Sequence, residues 1–161
     1  MTVKEYNTCV DLHSDGVYRF ILKNIRDDDR AKDIVQDTFE KLWLKVGSID
    51  YTTAKSYLYT AAYHTMIDAI RKEKVSSDIE AVEIFSHTPS KPFHDIKKVI
   101  DKALSRLNDI QRSVIMLRDY EGYSYDEIGE ITGLKESQVK VYIYRARIAM
   151  KEYIVNIDNV M

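Results

Sequence analysis

The residues best equipped for chemistry lie between Lys135 and Lys151. Lys135, Lys140, Arg145, Arg147 and Lys151 are balanced there only by Glu136 and, just beyond, Glu152, and Ser137 and Gln138 stand among the first of them. Ammonium and guanidinium groups replace the counterions around phosphates, while hydroxyl and amide groups hydrogen-bond to base edges. That mixture on the leading turns of a helix suits a reader of the major groove. A solvated basic face on an ordinary amphipathic helix has the same composition, so the flanking elements decide between the two.

Those elements run from Tyr123 to Met150, YSYDEIGEITGLKESQVKVYIYRARIAM. Ser124 followed by Glu127 is a capping box, in which each side chain satisfies a backbone donor at a helix start. Ile128 and Ile131 share one face of a first short helix, and Gly133 offers the left-handed conformation that stops it. Leu134 restarts the apolar pattern, which Val139 and Ile143 continue at helical spacing. Gly129 falls where the two helices cross, and a small residue there allows a close approach. The pattern is that of a helix-turn-helix. Its weak point is Lys135, which stands where a Ser or Thr cap is expected.

The rest of the composition narrows the function classes. The chain has 161 residues, 45% hydrophobic and 31% charged, enough for one or two small domains with a real core. Five glycines, two prolines and no sustained two-residue alternation predict an all-α fold. A net charge of −2 excludes a uniformly basic nucleic-acid coat; contact with DNA must come from local patches, and acidic surface remains for another partner. Cys9 alone allows neither an internal disulfide nor a cysteine zinc site, and His13, His64, His87 and His94 show no ligand spacing, so neither metal nor cofactor is expected. There is no phosphate-cradling glycine loop and no nucleophile arrangement, which makes an enzyme the least supported class. No apolar run approaches the ~20 residues of a membrane span, and no signal-peptide pattern opens the chain, so a cytoplasmic location without membrane insertion is expected.

Taken in order, residues 6–25 read as a helix with a possible break at Ser14 to Gly16. Arg26 to Arg30 form a polar turn able to supply a helix cap. In the helix Ala31 to Val46, Ile34, Val35, Phe39, Leu42, Trp43 and Val46 build an apolar stripe, with Asp33, Gln36, Asp37, Glu40 and Lys41 away from it. Gly47 is expected to close that helix, and SIDYTT to form a loop before a helix from Ala54 to Lys74. Tyr57, Tyr59 and Tyr63 in that helix, with Arg71, Lys72 and Lys74 at its end, suit base stacking beside phosphate contacts; as individuals, the tyrosines are better read as packing residues. Val75 to Asp95 holds both prolines and several acids without strong periodicity, and reads as an acidic linker. Beyond it, Ile96 to Leu107 and Ile110 to Tyr120 form two helices, Asn108-Asp109 capping the second. The tail after Tyr153 extends the last helix.

With both halves laid out, the chain resembles the bacterial RNA polymerase sigma factors of the sigma-70 family, and within it the small extracytoplasmic-function (ECF) type. The resembling segments are VYRFILKN, AKDIVQDTFEKLW and AKSYLYTAAYHTMIDAIRKEK in the first half, and KALSRLNDIQRSVIMLRDYEGYSYDEIGEITGL and QVKVYIYRAR in the second. The resemblance implies region 2 over residues 1–75, a linker over 76–95 and region 4 over 96–161. It implies that Asp33, Ile34, Val35, Gln36, Asp37, Thr38, Phe39 and Glu40 dock on core RNA polymerase, with Trp43 as helix packing beside them. By the same resemblance, Tyr57, His64, Asp68, Arg71 and Lys72 lie near the melted −10 promoter element. Lys135, Ser137, Gln138, Lys140, Val141, Tyr144 and Arg145 read the −35 element. Core polymerase, promoter DNA and an anti-sigma factor are the implied partners. The chain departs from the family at His64, where Asn is frequent, and at Val141 and Tyr142, where small polar and basic residues are more usual, so base contacts there do not transfer. Two rivals remain: a stand-alone helix-turn-helix regulator that binds duplex operators without polymerase, and an adaptor that scaffolds proteins through its acidic surface.

Overall fold

The structure is a computed structural model that describes residues 1–76 and 96–160, the side chains of 74–76 and 158–160 excepted. Seven helices and one short turn make up the described chain: α1 Val3–Ile25, α2 Asp28–Leu44, a 3₁₀ turn Tyr51–Thr53, α3 Ala54–Ser76, α4 Ile96–Ser105, α5 Asp109–Asp119, α6 Tyr125–Thr132 and α7 Glu136–Val160. No strand occurs among the described residues, in keeping with the all-α expectation. The linker expected over 76–95 lies outside the described residues except for Ser76.

Local chemistry explains most helix ends. Thr2 and Glu5 form a capping box at the start of α1, and Arg26 closes it in the left-handed conformation at φ 61°. The Asp27 carboxylate accepts the Arg30 N–H at 3.2 Å and starts α2, as the polar turn predicts. That helix ends at Leu44 with Lys45 as its cap, ahead of Gly47, which lies in the following turn rather than closing the helix. The possible break at Ser14 to Gly16 is absent, and α1 passes through it unbroken. Gly16 is small for a tertiary reason: a Cβ there would stand 2.7 Å from the Tyr59 hydroxyl.

In the first half, α1, α2 and α3 pack on one another around Phe20, Ile21, Leu42, Leu58, Tyr59 and Met66. In the second, α4 to α7 enclose Leu104, Leu117, Ile128, Ile131 and Ile143. Arg112, only 6% exposed, ties off the α4–α5 turn: its guanidinium donates to the carbonyls of Leu104 (2.9 Å), Ser105 (3.3 Å) and Leu107 (2.5 Å) and to the Asp109 carboxylate (3.1 Å). Those carbonyls at a helix end would otherwise be orphans. The two halves also pack on each other, α6 against α3, and α4 and α5 against α1. This second contact explains why α3 and α5 bury more than one side: Arg112 to Leu117 are buried without interruption, which a helix covered on one side alone does not show.

Candidate nucleic-acid interface

The helix-turn-helix is built as its sequence requires. The Ser124 hydroxyl accepts the Glu127 N–H at 3.1 Å and the Glu127 carboxylate accepts the Ser124 N–H at 3.0 Å. The Ser124 backbone N–H first, and then the Ser124 hydroxyl, hold the Glu127 carboxyl below its ordinary pKa. Gly133 turns at φ 79°, and its N–H donates to the Gly129 carbonyl at 2.8 Å. A Cβ on Gly129 would come 2.8 Å from the Leu134 carbonyl oxygen, so the close approach is to the turn leading into α7, not to the body of that helix. Ile128, Ile131, Val139, Ile143 and Ala146 fill the seam.

Opposite that seam, at about 100° per residue, Ser137, Gln138, Lys140, Val141, Tyr144 and Arg145 occupy about 160° of arc on α7. All six, and Lys135 before them, are exposed. Two of them have local work as well. The Gln138 amide oxygen accepts the Lys135 N–H at 3.0 Å, so it supplies the start cap that Lys135 does not, and the amide nitrogen is the part left to reach a base. The Lys140 ammonium lies 3.5 Å from the Glu136 carboxylate and 5.7 Å from the centre of the Tyr125 ring. Arg147 instead pairs with Asp119 at 2.8 Å, bracing α7 on α5.

A second exposed arc lies on α3. Tyr57, His64, Asp68, Arg71 and Lys72 fall within about 100° of arc. All are exposed except Tyr57, which is half-buried with the Lys45 ammonium 5.7 Å from its ring centre. Leu58, Tyr59, Ala62, Tyr63 and Met66 take the buried side. Tyr59 and Tyr63 are therefore packing residues, as expected of individual tyrosines. Phe20 meets the Tyr59 ring edge-on at 5.7 Å.

On α2, Asp33, Gln36, Asp37 and Glu40 share one exposed face, and Val35 is half-buried. Ile34, Thr38 and Phe39, expected to dock with them, are buried; the Thr38 hydroxyl donates to the Ile34 carbonyl at 2.7 Å. These three shape the helix from inside. Two residues outside the expected set extend its outer face. Leu44 continues the spacing of Asp33, Asp37 and Glu40 and is 77% exposed. Trp43, expected as packing, meets Tyr6 edge-on at 5.0 Å yet remains 44% exposed. The helical period through residue 44 carries that signal.

No group of three or more His, Cys, Asp or Glu able to hold a metal occurs among the described residues, and none of their helices is long and apolar enough to cross a membrane.

Two family models match the chain. The Sigma-70 region 2 model matches residues 9–75, and the Sigma-70, region 4 model matches residues 97–150. The RNA polymerase sigma factor SigV of Bacillus subtilis (strain 168) is 32% identical over 142 residues, covering 86% of this chain and 84% of its own. The ECF RNA polymerase sigma factor SigM of the same organism is 29% identical over 157 residues, 94% of each. Among solved structures, the sigma factor RpoE in complex with the anti-sigma factor NepR, from Bartonella quintana, superposes with a TM-score of 0.79 at 28% identity, over 94% of this chain and 98% of that one.

Proposed function

The chain belongs to the sigma-70 family of RNA polymerase sigma factors, in its ECF branch, and we infer that it binds core RNA polymerase and directs it to promoters. The observation that carries this reading is the pair of exposed arcs, on α3 and on α7, in one chain that also presents an acidic face on α2. The α2 face, through Asp33, Gln36, Asp37 and Glu40, takes the polymerase. The α7 arc enters the major groove of the −35 element, with Lys140 and Arg145 on phosphates or bases. The α3 arc meets the −10 element, where Arg71 and Lys72 hold the backbone of the opened strand.

The work is done by binding energy, with no covalent step. Cations on both arcs displace counterions, and a few base-edge contacts set specificity. Capturing an unpaired base on an aromatic ring contributes about 1–3 kcal/mol and offsets the loss of pairing; Tyr57, half-exposed on the arc, is the ring placed for it. Such a protein works in the cytoplasm, without catalysis of its own. RpoE, which this chain matches over both halves together, was solved bound to an anti-sigma factor; a protein of that kind is the natural regulator here.

The test is reconstituted transcription from a promoter library with purified core polymerase. Starts that share −35 and −10 elements support the reading. Absence of initiation, with tight polymerase-independent binding to duplex DNA, would replace it with the stand-alone regulator.

A further inference from the structure

The ring assigned to a captured base and the cations assigned to its strand stand far apart on α3. Arg71 lies about four turns beyond Tyr57, about 21 Å along the axis at about 1.5 Å per residue. Only His64 and Asp68 are ionisable between them on that arc, and a carboxylate repels phosphate. Lys55, close by in sequence, turns away from the arc and lies 3.8 Å from Glu121. On α3 alone, a base stacked on Tyr57 would have no cation beside its own phosphate.

The neighbouring helix supplies one. Lys41 and Lys45, one turn apart, stand on the flank of α2 that turns toward α3. The Lys41 ammonium is engaged twice, donating to the Thr65 hydroxyl at 2.9 Å and pairing with Asp37 at 3.4 Å. The Lys45 ammonium has no carboxylate partner among the described residues and lies over the Tyr57 ring, 5.7 Å from its centre. Lys45 is exposed and Tyr57 half-buried, so a ligand from solvent reaches both. As the C-cap of α2, Lys45 also suits the negative end of that helix, which is the plainer role to be set against any other.

The relative strength of two contacts favours more than that role. A cation over an exposed ring is held less firmly than a base stacked on the same ring. An arriving base therefore takes the ring face and displaces the ammonium. Lysine carries its charge on a flexible four-carbon stem with three rotatable donors, so the displaced group can follow the phosphate of that base without a fixed geometry. The cation is then partnered in both states, by the ring in the free chain and by phosphate in the complex.

We propose that Lys45 and Tyr57 form one nucleotide seat for a single strand, the ring taking the base and the ammonium its phosphate, so that α2 completes the −10 site on α3. The seat rests on the promoter reading above. Holoenzyme made from core polymerase and the full chain is titrated with a fork fragment, duplex at −35 and single-stranded at −10, from a promoter that the transcription assay returns. The same fragment cut short of the −10 strand is the control. Lys45→Gln is expected to weaken fork binding about fivefold at about 0.1 M salt and to lower its salt slope by about 0.7, the share of one phosphate on a single strand. Binding to the shortened fragment is expected to match the native protein, and Lys45→Arg to keep the native slope. In a Tyr57→Leu background, Lys45→Gln is expected to cost less than fivefold, because the phosphate is no longer placed. Equal weakening on both fragments with a lowered thermal midpoint would reduce Lys45 to a helix-end charge and overturn the seat. Unchanged fork binding would overturn it too, as would tighter binding, the mark of a lysine that obstructs the ring. A native holoenzyme that initiates nowhere would overturn the promoter reading and the seat with it; normal initiation with no response to Lys45→Gln overturns the seat alone.

Discussion

At the scale of single residues, the exposed arc on α7 is chemically mixed. Lys140 and Arg145 supply charge, and their joint replacement by alanine is expected to weaken −35 binding and lower the salt slope by about two, with polymerase affinity unchanged. Holoenzyme binding to promoter fragments across a salt series measures this; a loss of polymerase binding instead would undo the division of labour between α2 and α7. Val141, 44% exposed, and Tyr144, 67% exposed, lie beside them and offer no charge. The apolar feature available on a base edge in the major groove is the thymine methyl. Replacing thymine by uracil in the −35 element is therefore expected to weaken binding about fourfold, the equivalent of one buried methyl group. Val141→Ser should remove that sensitivity, and equal affinity of the native protein for the two bases would show that Val141 reads none. The exposed polar residues of this arc are legible from spacing alone. The second duty of Gln138, as a cap for Lys135, is not, because it depends on a rotamer rather than on a period.

At the scale of elements, short-range chemistry was the most readable part. The Ser124–Glu127 box, the Gly133 stop and the Asn108 and Asp27 caps each depend on residues within three or four positions, and each forms as expected. Gly129 shows where such reading is incomplete. Its smallness is expected, but what it clears is the Leu134 carbonyl of the turn, a backbone atom that cannot rotate away. Gly129→Ala is thus expected to cost about 1–3 kcal/mol despite its better helix propensity, visible as a lowered thermal midpoint; an unchanged or raised midpoint would mean that the turn yields. The exposed face of α2 was legible as a segment and not residue by residue. A motif names eight consecutive positions, whereas a helix exposes about half of them, and Ile34, Thr38 and Phe39 fall on the wrong side. The same geometry adds Leu44. Its replacement by lysine is expected to weaken polymerase binding at least about fivefold while leaving thermal stability within about 0.5 kcal/mol, the usual range of a surface change.

At the scale of the whole molecule, pairing of the two halves was invisible in the sequence because its contacts join residues far apart, such as Asn24 and Ser113, 89 positions from each other. The unbroken burial of Arg112 to Leu117 is its clearest local trace, and it reads equally well as ordinary core. One titratable group ties the folded packing to pH. His13 on α1 is held below its ordinary pKa of 6.5, first by burial and then by Lys55 of α3, with Glu121 acting in the opposite sense. Because burial and Lys55 outweigh Glu121, the folded chain favours the neutral ring, and the unfolded chain binds the extra proton more readily. The contribution of His13 to stability is therefore complete above pH 6.5 and is lost as pH falls through the depressed value. Between about pH 6.5 and 5 the carboxylates of ordinary pKa remain ionised, so destabilisation in that window belongs to His13. The thermal midpoint across that range is expected to fall on acidification in the native chain and to stay flat in His13→Gln; an equal fall in both would show that the charge at position 13 does not govern it.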